Sequence, residues 1–251
     1  MTSRLAFYIM KTWFQQSEGI VQMNKRVLSF GTHPDDIEIG CGGTELKLLK
    51  QGFQITHAFL TSGESGSQSI SREELGATRE KEAIAAANVM GIEDVRFLRF
   101  EDGLTEYTRS MKLEVVDLIR SIMPEVIFTH SPQDNFPQHQ VCCKLVQNAI
   151  IHAAGPWYQE TREKPWDTHV VLGYEVWFPM NRWNTAVDIT ETVDRKLEAL
   201  SCHASQLEDV KYDEAFGGLA RYRGEMTFAS KYAEAFEILK MSGGNLLNAL
   251  S

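Results

Sequence analysis

The stretch Val27-Leu-Ser-Phe-Gly31-Thr-His-Pro-Asp-Asp-Ile-Glu-Ile-Gly-Cys-Gly-Gly-Thr44 decides how this chain is read. Its apolar run, Val27 to Phe30, stops at Gly31 and gives way to a turn rich in metal-ligand side chains. A helical pattern follows from about Thr44 to Lys50 and is stopped by Gly52, so the stretch reads as a strand, a turn and a crossover helix. The turn leaves the C-terminal end of a strand, where open α/β sheets place their ligands. It is not a dinucleotide fingerprint. The GxGxxG spacing is absent, and two adjacent carboxylates would repel a pyrophosphate.

Outward from this stretch, apolar runs alternate with helical patterns. Phe53 to Leu60 reads as a second strand, and Ser62 to Ile70 as a polar loop suited to a lid or substrate-binding segment. Ala83, Ala86, Ala87 and Met90 share a helix face that Gly91 ends, and Val95 to Phe100 makes a third strand. Val115, Leu118, Ile119 and Ile122 mark a helix closed by Pro124; Glu125 to Thr129 is a fourth strand, and a helix begins near His139. A long β-rich run spans Val170 to Trp177. The tail reads as helical, with Val193, Leu197 and Leu200 on one face and Tyr232 to Leu239 as its last segment. The alternation predicts an α/β, Rossmann-like three-layer fold with a mostly parallel sheet and the active site at the C-terminal ends of the strands.

Neither repeats nor a linker break the chain after Met23, so residues 23–251 are expected to form a single domain. Residues 1–22 read as a dispensable N-terminal extension. Leu5 to Met10 is cut short by Lys11 with no cleavage site after it, whereas Met23 directly precedes Asn-Lys-Arg and the first strand.

A net charge of −9 argues against nucleic acid and against an anionic membrane surface as partners. No apolar run approaches the length of a membrane span. Cys41, Cys142, Cys143 and Cys202 form no CxxC pair, which predicts reduced thiols in a cytoplasmic protein.

His33 and Asp36, three residues apart on a turn, can converge on one cation while Asp35 stays near the same site. Thr129 to His139 leaves the fourth strand, whose loop faces the first across the switch point, so His139 can supply a third ligand. Two imidazoles and one carboxylate leave a position open for water, as in catalytic rather than structural sites. His130, Asp134 and Asp102 are candidate supporting residues, although Asp134 and Asp102 also suit plain turns. The same ligand set serves non-haem iron oxygenases, which makes oxygen chemistry the competing class.

His33-Pro-Asp-Asp36 followed by Gly42-Gly-Thr44 resembles the opening motif of the LmbE-like/PIG-L-like N-acetylglucosaminyl deacetylases. The resemblance runs on through Ser62-Gly-Glu-Ser-Gly66, Thr78-Arg-Glu-Lys-Glu-Ala83, Asp102-Gly103, the Asp134 to His139 segment, Tyr174-Glu-Val-Trp177 and Asp188-Ile-Thr190. Deacetylases of the bacillithiol pathway are among the nearest-looking members. The resemblance implies zinc-dependent hydrolysis of the N-acetyl group of a GlcNAc-containing small molecule, a GlcNAc–malate conjugate or another glycoside or glycolipid. It makes His33, Asp36 and His139 the ligands of zinc or another divalent metal, and Asp35 the general base that activates the metal-bound water. Arg79 and Glu64 would face the substrate, and a homo-oligomer would be in keeping with the family. One departure stands out: Phe136 occupies the position where the family often has a second histidine, and Gln138 one where an acidic residue is common. That departure makes His130 a candidate substitute and opens a further alternative, a non-catalytic metal-dependent sugar-binding module.

Overall fold

Two apolar layers enclose one sheet in this computed structural model, which describes residues 25–242 apart from 104, 105, 107, 159, 162, 209, 228 and 229. Five strands are mutually parallel: β1 (Arg26–Gly31), β2 (Gln54–Phe59), β3 (Asp94–Phe97), β4 (Val126–His130) and β5 (Val170–Tyr174). The edge strand β6 (Thr185–Asp188) and its neighbour β7 (Ala233–Met241) are antiparallel additions beside β5. The order across the sheet is β3-β2-β1-β4-β5-β7-β6, so β1 and β4 lie side by side where the strand order reverses. The mostly parallel α/β architecture expected from the sequence is the one found.

The helices fall on both faces. On one side α1 (Asp36–Lys50), α2 (Arg72–Met90), α5 (Val193–Leu200) and α7 (Tyr212–Thr227) pack on Val27, Phe128, Leu172 and Tyr174, with the single turn α6 (Ala204–Leu207) beside α2. On the other, α3 (Arg109–Ile122) and α4 (Pro137–Ala154) cover Leu28, Phe30, Ile127 and Val171. Successive strand residues thus go to opposite layers, and because both layers are dry the central strands read as unbroken apolar runs.

Three local expectations are corrected. First, α1 begins at Asp36, not near Thr44. Gly40, Gly42 and Gly43 weaken the helical signal, yet two of them are there for packing. A Cβ on Gly40 would stand 2.1 Å from Tyr174 Cδ2, and one on Gly43 would stand 2.9 Å from Ile189. Second, the segment from Tyr232 to Leu239 is not helical: β7 pairs with β5 and β6 along it, and Phe236 packs at 5.5 Å from Phe128. A short apolar run carries no period of its own, and the open edge of β5 decides the outcome. Third, the run after Val170 is strand only as far as Tyr174. The proposed extension at residues 1–22 lies outside the described residues. Among the described residues, no helix is long and apolar enough to cross a membrane.

The Tyr174 hydroxyl donates to Phe30 O at 2.6 Å, so one side chain ties β5 to β1 beneath α1. Replacing Gly40 by Ala is expected to lower unfolding stability by about 1–3 kcal/mol through overpacking against that ring. Urea denaturation followed by circular dichroism reads the change; a stability equal to the unaltered protein would show that the helix lifts off Tyr174 freely.

Candidate metal centre and its pocket

Past Gly31 the chain turns through Thr32 and His33 before α1 starts, and Asp36 organises the turn. Its Oδ2 accepts from the backbone N–H groups of Thr32 (2.9 Å) and His33 (2.7 Å). Asp35 immediately before the helix has φ 131° and ψ −28°, a conformation that non-glycine residues rarely adopt. Such strain persists only where surrounding contacts hold it, and here Arg79 does so. Its Nη2 donates to Asp35 Oδ2 (3.1 Å) and Pro34 O (2.8 Å), while Nη1 donates to Gly63 O (3.2 Å).

The Ser62–Gly66 loop owes its glycines to that guanidinium. A Cβ on Gly63, which has φ +65°, would lie 2.5 Å from Arg79 Nη1, and one on Gly66 would lie 2.9 Å from it. Arg79 is 4% exposed, and the Glu82 carboxylate on the same helix accepts from Ser205 N and Oγ.

At the end of β4, Asp134 fixes His139. Its Oδ1 accepts from Phe136 N at 2.9 Å, and the His139 ring is held by Oδ2 at 2.9 Å from Nδ1. That bond points the other ring nitrogen inward. His139 Nε2 is buried with no hydrogen-bond partner and stands 3.4 Å from Asp36 Oδ1. Ligand atoms of His33, Asp36 and His139 all lie within 4.8 Å of one another, and a second group, His130, Asp134 and His139, meets the same limit. The first suits a cation better. In the second, both Asp134 oxygens are engaged, and His130 Nε2 accepts from Thr32 N at 3.2 Å. An orphaned imidazole nitrogen facing a carboxylate, with the ring oriented by another carboxylate, is the donor chemistry of a divalent-metal site.

Electrostatics carry the same message. Burial alone would lower the His33 pKa, but hydrogen bonds to Asp102 and Asp36 raise it to about 10. Burial pushes Asp35 up to about 6, against the pull of Arg79 and with added repulsion from Asp36. Burial also lowers His130 to about 4, with His139 adding to the effect.

His33, Asp35, Arg79, Asp102, Phe136 and Gln138 line one wall of a cavity of about 280 Å³; Ser65, Gly66, Gln206, Trp177 and Tyr212 line the rest. Asp102 belongs to it closely, accepting from Gln138 Nε2 (2.7 Å) and Ser65 N (2.8 Å) and lying 3.3 Å from His33 Nε2. Glu64 does not reach it. Its Oε1 accepts from Asp102 N at 2.9 Å, and the residue lines an adjoining cavity with Arg72, Glu80 and Arg99. His130 is fully buried and stacked on His139 at 3.9 Å, away from the cavity lining. A larger cavity of about 450 Å³ opens at the opposite ends of the strands beside Arg26, Gln54 and Asp94, with no histidine in its lining.

Residues 28–150 match the family model described as PIG-L, GlcNAc-PI de-N-acetylase. A diacetylchitobiose deacetylase of Thermococcus kodakarensis is 30% identical over 86% of this chain and 83% of its own length. The chain belongs to the LmbE-like PIG-L family. A probable N-acetyl-α-D-glucosaminyl L-malate deacetylase of Bacillus cereus is 29% identical over 76% of this chain and 88% of its own. Among solved structures, an N,N'-diacetylchitobiose deacetylase from Pyrococcus horikoshii, complexed with an inhibitor, superposes with a TM-score of 0.78. It is 26% identical and covers 95% of this chain and 93% of its own. These relatives are hydrolases of N-acetylated sugars, the enzyme class expected from the sequence.

The sequence gave no sign that Tyr212 or Gln206 would line the cavity. Both come from the segment after α5, which carries no motif and reaches the pocket only through the fold. In the metal-free protein, Arg79→Gln is expected to raise the Asp35 pKa above about 6, because the guanidinium is the largest influence lowering it. Carboxyl carbon chemical shifts followed against pH measure this, and an unchanged midpoint would show the pair to be electrostatically idle.

Proposed function

We propose that the chain is a zinc-dependent deacetylase that hydrolyses the N-acetyl group of a GlcNAc-containing small molecule. The observation that carries the reading is the group of His33, Asp36 and His139 beside the cavity, with the strained Asp35 carboxylate next to it. His33, Asp36 and His139 would hold the metal. When bound there, zinc lowers the pKa of a coordinated water and polarises the amide carbonyl as a Lewis acid.

The chain's own groups supply the rest. Asp35 accepts the proton of the attacking water at a carboxylate oxygen and returns it to the leaving amine nitrogen. In the metal-free protein burial raises its pKa to about 6, and a group of intermediate pKa can serve both as base and as acid near neutral pH. Arg79 keeps Asp35 in place. Asp134 holds the His139 tautomer, and Asp102 with Gln138 steadies His33. All four cysteines are free, which supports a reducing compartment such as the cytoplasm.

The deciding experiment compares the purified protein with Asp35→Ala for metal content and for acetate released from a panel of N-acetylglucosaminides. One equivalent of zinc is expected in both, with the variant's turnover lower by about 10²- to 10⁴-fold. Zinc in both without acetate from either would instead favour a metal-dependent sugar-binding module. Oxygen uptake by the iron-loaded protein would favour the oxygenase class.

Metal binding also has a proton signature. His33 with a pKa near 10 is protonated at pH 8, and a ligand imidazole must be neutral. Zinc titration at pH 8 in buffers of differing ionisation enthalpy is therefore expected to release about one proton per metal. Release of none would remove His33 from the ligand set.

A further inference from the structure

The lining of the active cavity divides by chemistry. Phe136, Trp177 and Tyr212 present aromatic surface, and Ser65, Gln138 and Gln206 present uncharged hydrogen-bonding groups. Trp177 is 40% exposed and held by the edge of Tyr212, ring centroids 5.1 Å apart at 75°. An exposed indole held at a cavity rim offers a flat apolar face on which a ring can stack.

Unpaired positive charge is scarce there: the His33 ring, itself in the lining, lies 3.3 Å from Asp102. Among the described lining residues the only arginine is Arg79, and its Nη groups are turned onto Asp35, Pro34 O and Gly63 O. The guanidiniums of Arg72 and Arg99 line the adjoining cavity instead, and each is paired. Arg72 lies 3.2 Å from Glu64, and Arg99 2.8 Å from Glu80. Asp35 and Asp102 are the carboxylates facing the cavity, and the whole chain carries a net charge of −9.

We infer that the substrate's aglycone is uncharged and ring-shaped, a second neutral sugar seated on Trp177 and Tyr212, rather than a carboxylate- or phosphate-bearing group. The inference rests on the deacetylase reading above and specifies its substrate. At about 280 Å³ the cavity falls just below the ~300–1,000 Å³ of ordinary small-molecule sites, so one acylated ring fills it and the next lies at the rim. A pyranose suits that rim because its C–H face is apolar and its edge is polar. An anionic aglycone would meet the chain's negative field with no unpaired guanidinium in the lining to offset it.

Two measurements on the zinc-loaded protein separate this inference from the reading beneath it. Tryptophan fluorescence of Asp35→Asn, titrated with N,N'-diacetylchitobiose and with N-acetylglucosaminyl malate, reads binding without turnover. Acetate release from both compounds by the unaltered protein reads chemistry. The disaccharide is expected to bind and react at least about tenfold better than the malate conjugate. In the acetate assay, Trp177→Ala is expected to raise KM for the disaccharide about tenfold while moving that for methyl N-acetylglucosaminide by less than about twofold. Trp177→Phe restores the disaccharide preference, and Gln206→Arg shifts it toward the malate conjugate. Equal or better use of the malate conjugate, or a Trp177→Ala effect of the same size on both glycosides, overturns the inference and leaves the deacetylase reading standing. Selective disaccharide binding with no acetate from any compound does the reverse.

Discussion

Four carboxylates, Asp35, Asp36, Asp102 and Asp134, are buried together where β1 and β4 end, none more than 5% exposed. Removing a carboxylate from water costs several kcal/mol unless partners replace the solvent, so each must be answered by charge or by hydrogen bonds. Arg79 answers Asp35, backbone N–H groups answer one oxygen each of Asp36 and Asp102, and the His139 ring answers Asp134. What remains is Asp36 Oδ1 facing an imidazole nitrogen that has no partner. In the metal-free protein the hydrogen bonds of His33 to Asp102 and to Asp36 favour its protonated form, and this is why its pKa is raised. A divalent cation held by His33, Asp36 and His139 would answer the deficit at Asp36 Oδ1.

The scaffold repeats the pattern one layer deeper. Glu38, on the first turn of α1, lies 3.5 Å from His203 and 3.8 Å from His57, whose other nitrogen lies 2.8 Å from Glu45. All four side chains are fully buried. Farther along α1, Glu234 accepts from Gly43 N and Thr44 N, and Lys196 Nζ stands 2.6 Å from it. Charges of both signs pin α1 to β2, α5 and β7, while its glycines let it lie flat on Tyr174. Breaking one member of such a pair leaves an uncompensated buried charge, so this helix is fixed more by specificity than by propensity.

How legible this was in the sequence depended on whether a feature is local. The stretch from Gly31 to Asp36 announced itself because ligand-type residues follow an apolar run, and the parallel sheet followed from alternation. The length of α1 did not, since Gly40 and Gly43 obey the Tyr174 and Ile189 side chains, which are distant in sequence. β7 was misread because its neighbours, β5 and β6, decide its conformation. Asp35, Arg79 and Asp102 line one cavity, whereas Glu64 turns to Asp102 N and lines another. Tyr212 and Gln206 had no signal, because their position depends on how α6 and α7 pack beside α2 and β7.

Phe136 bears on how a deacetylase site works when a second histidine is missing. Its ring lies 5.9 Å from that of His33 and 4.8 Å from that of His139, so it shields both imidazoles from solvent on one side. Lower local dielectric strengthens each charge–charge term in the cavity, including the pull of Arg79 on Asp35. His130 is poorly placed to take over a proton-transfer role. It is fully buried, stacked on His139 and outside the cavity lining, and burial drives its pKa to about 4. On the proposed reading the proton would be carried by Asp35, whose pKa, about 6 in the metal-free protein, lies between those of an ordinary carboxylate and of the raised His33. On that reading acceptance and return of the proton would fall to one carboxylate, held on a strained backbone, and its positioning to Arg79.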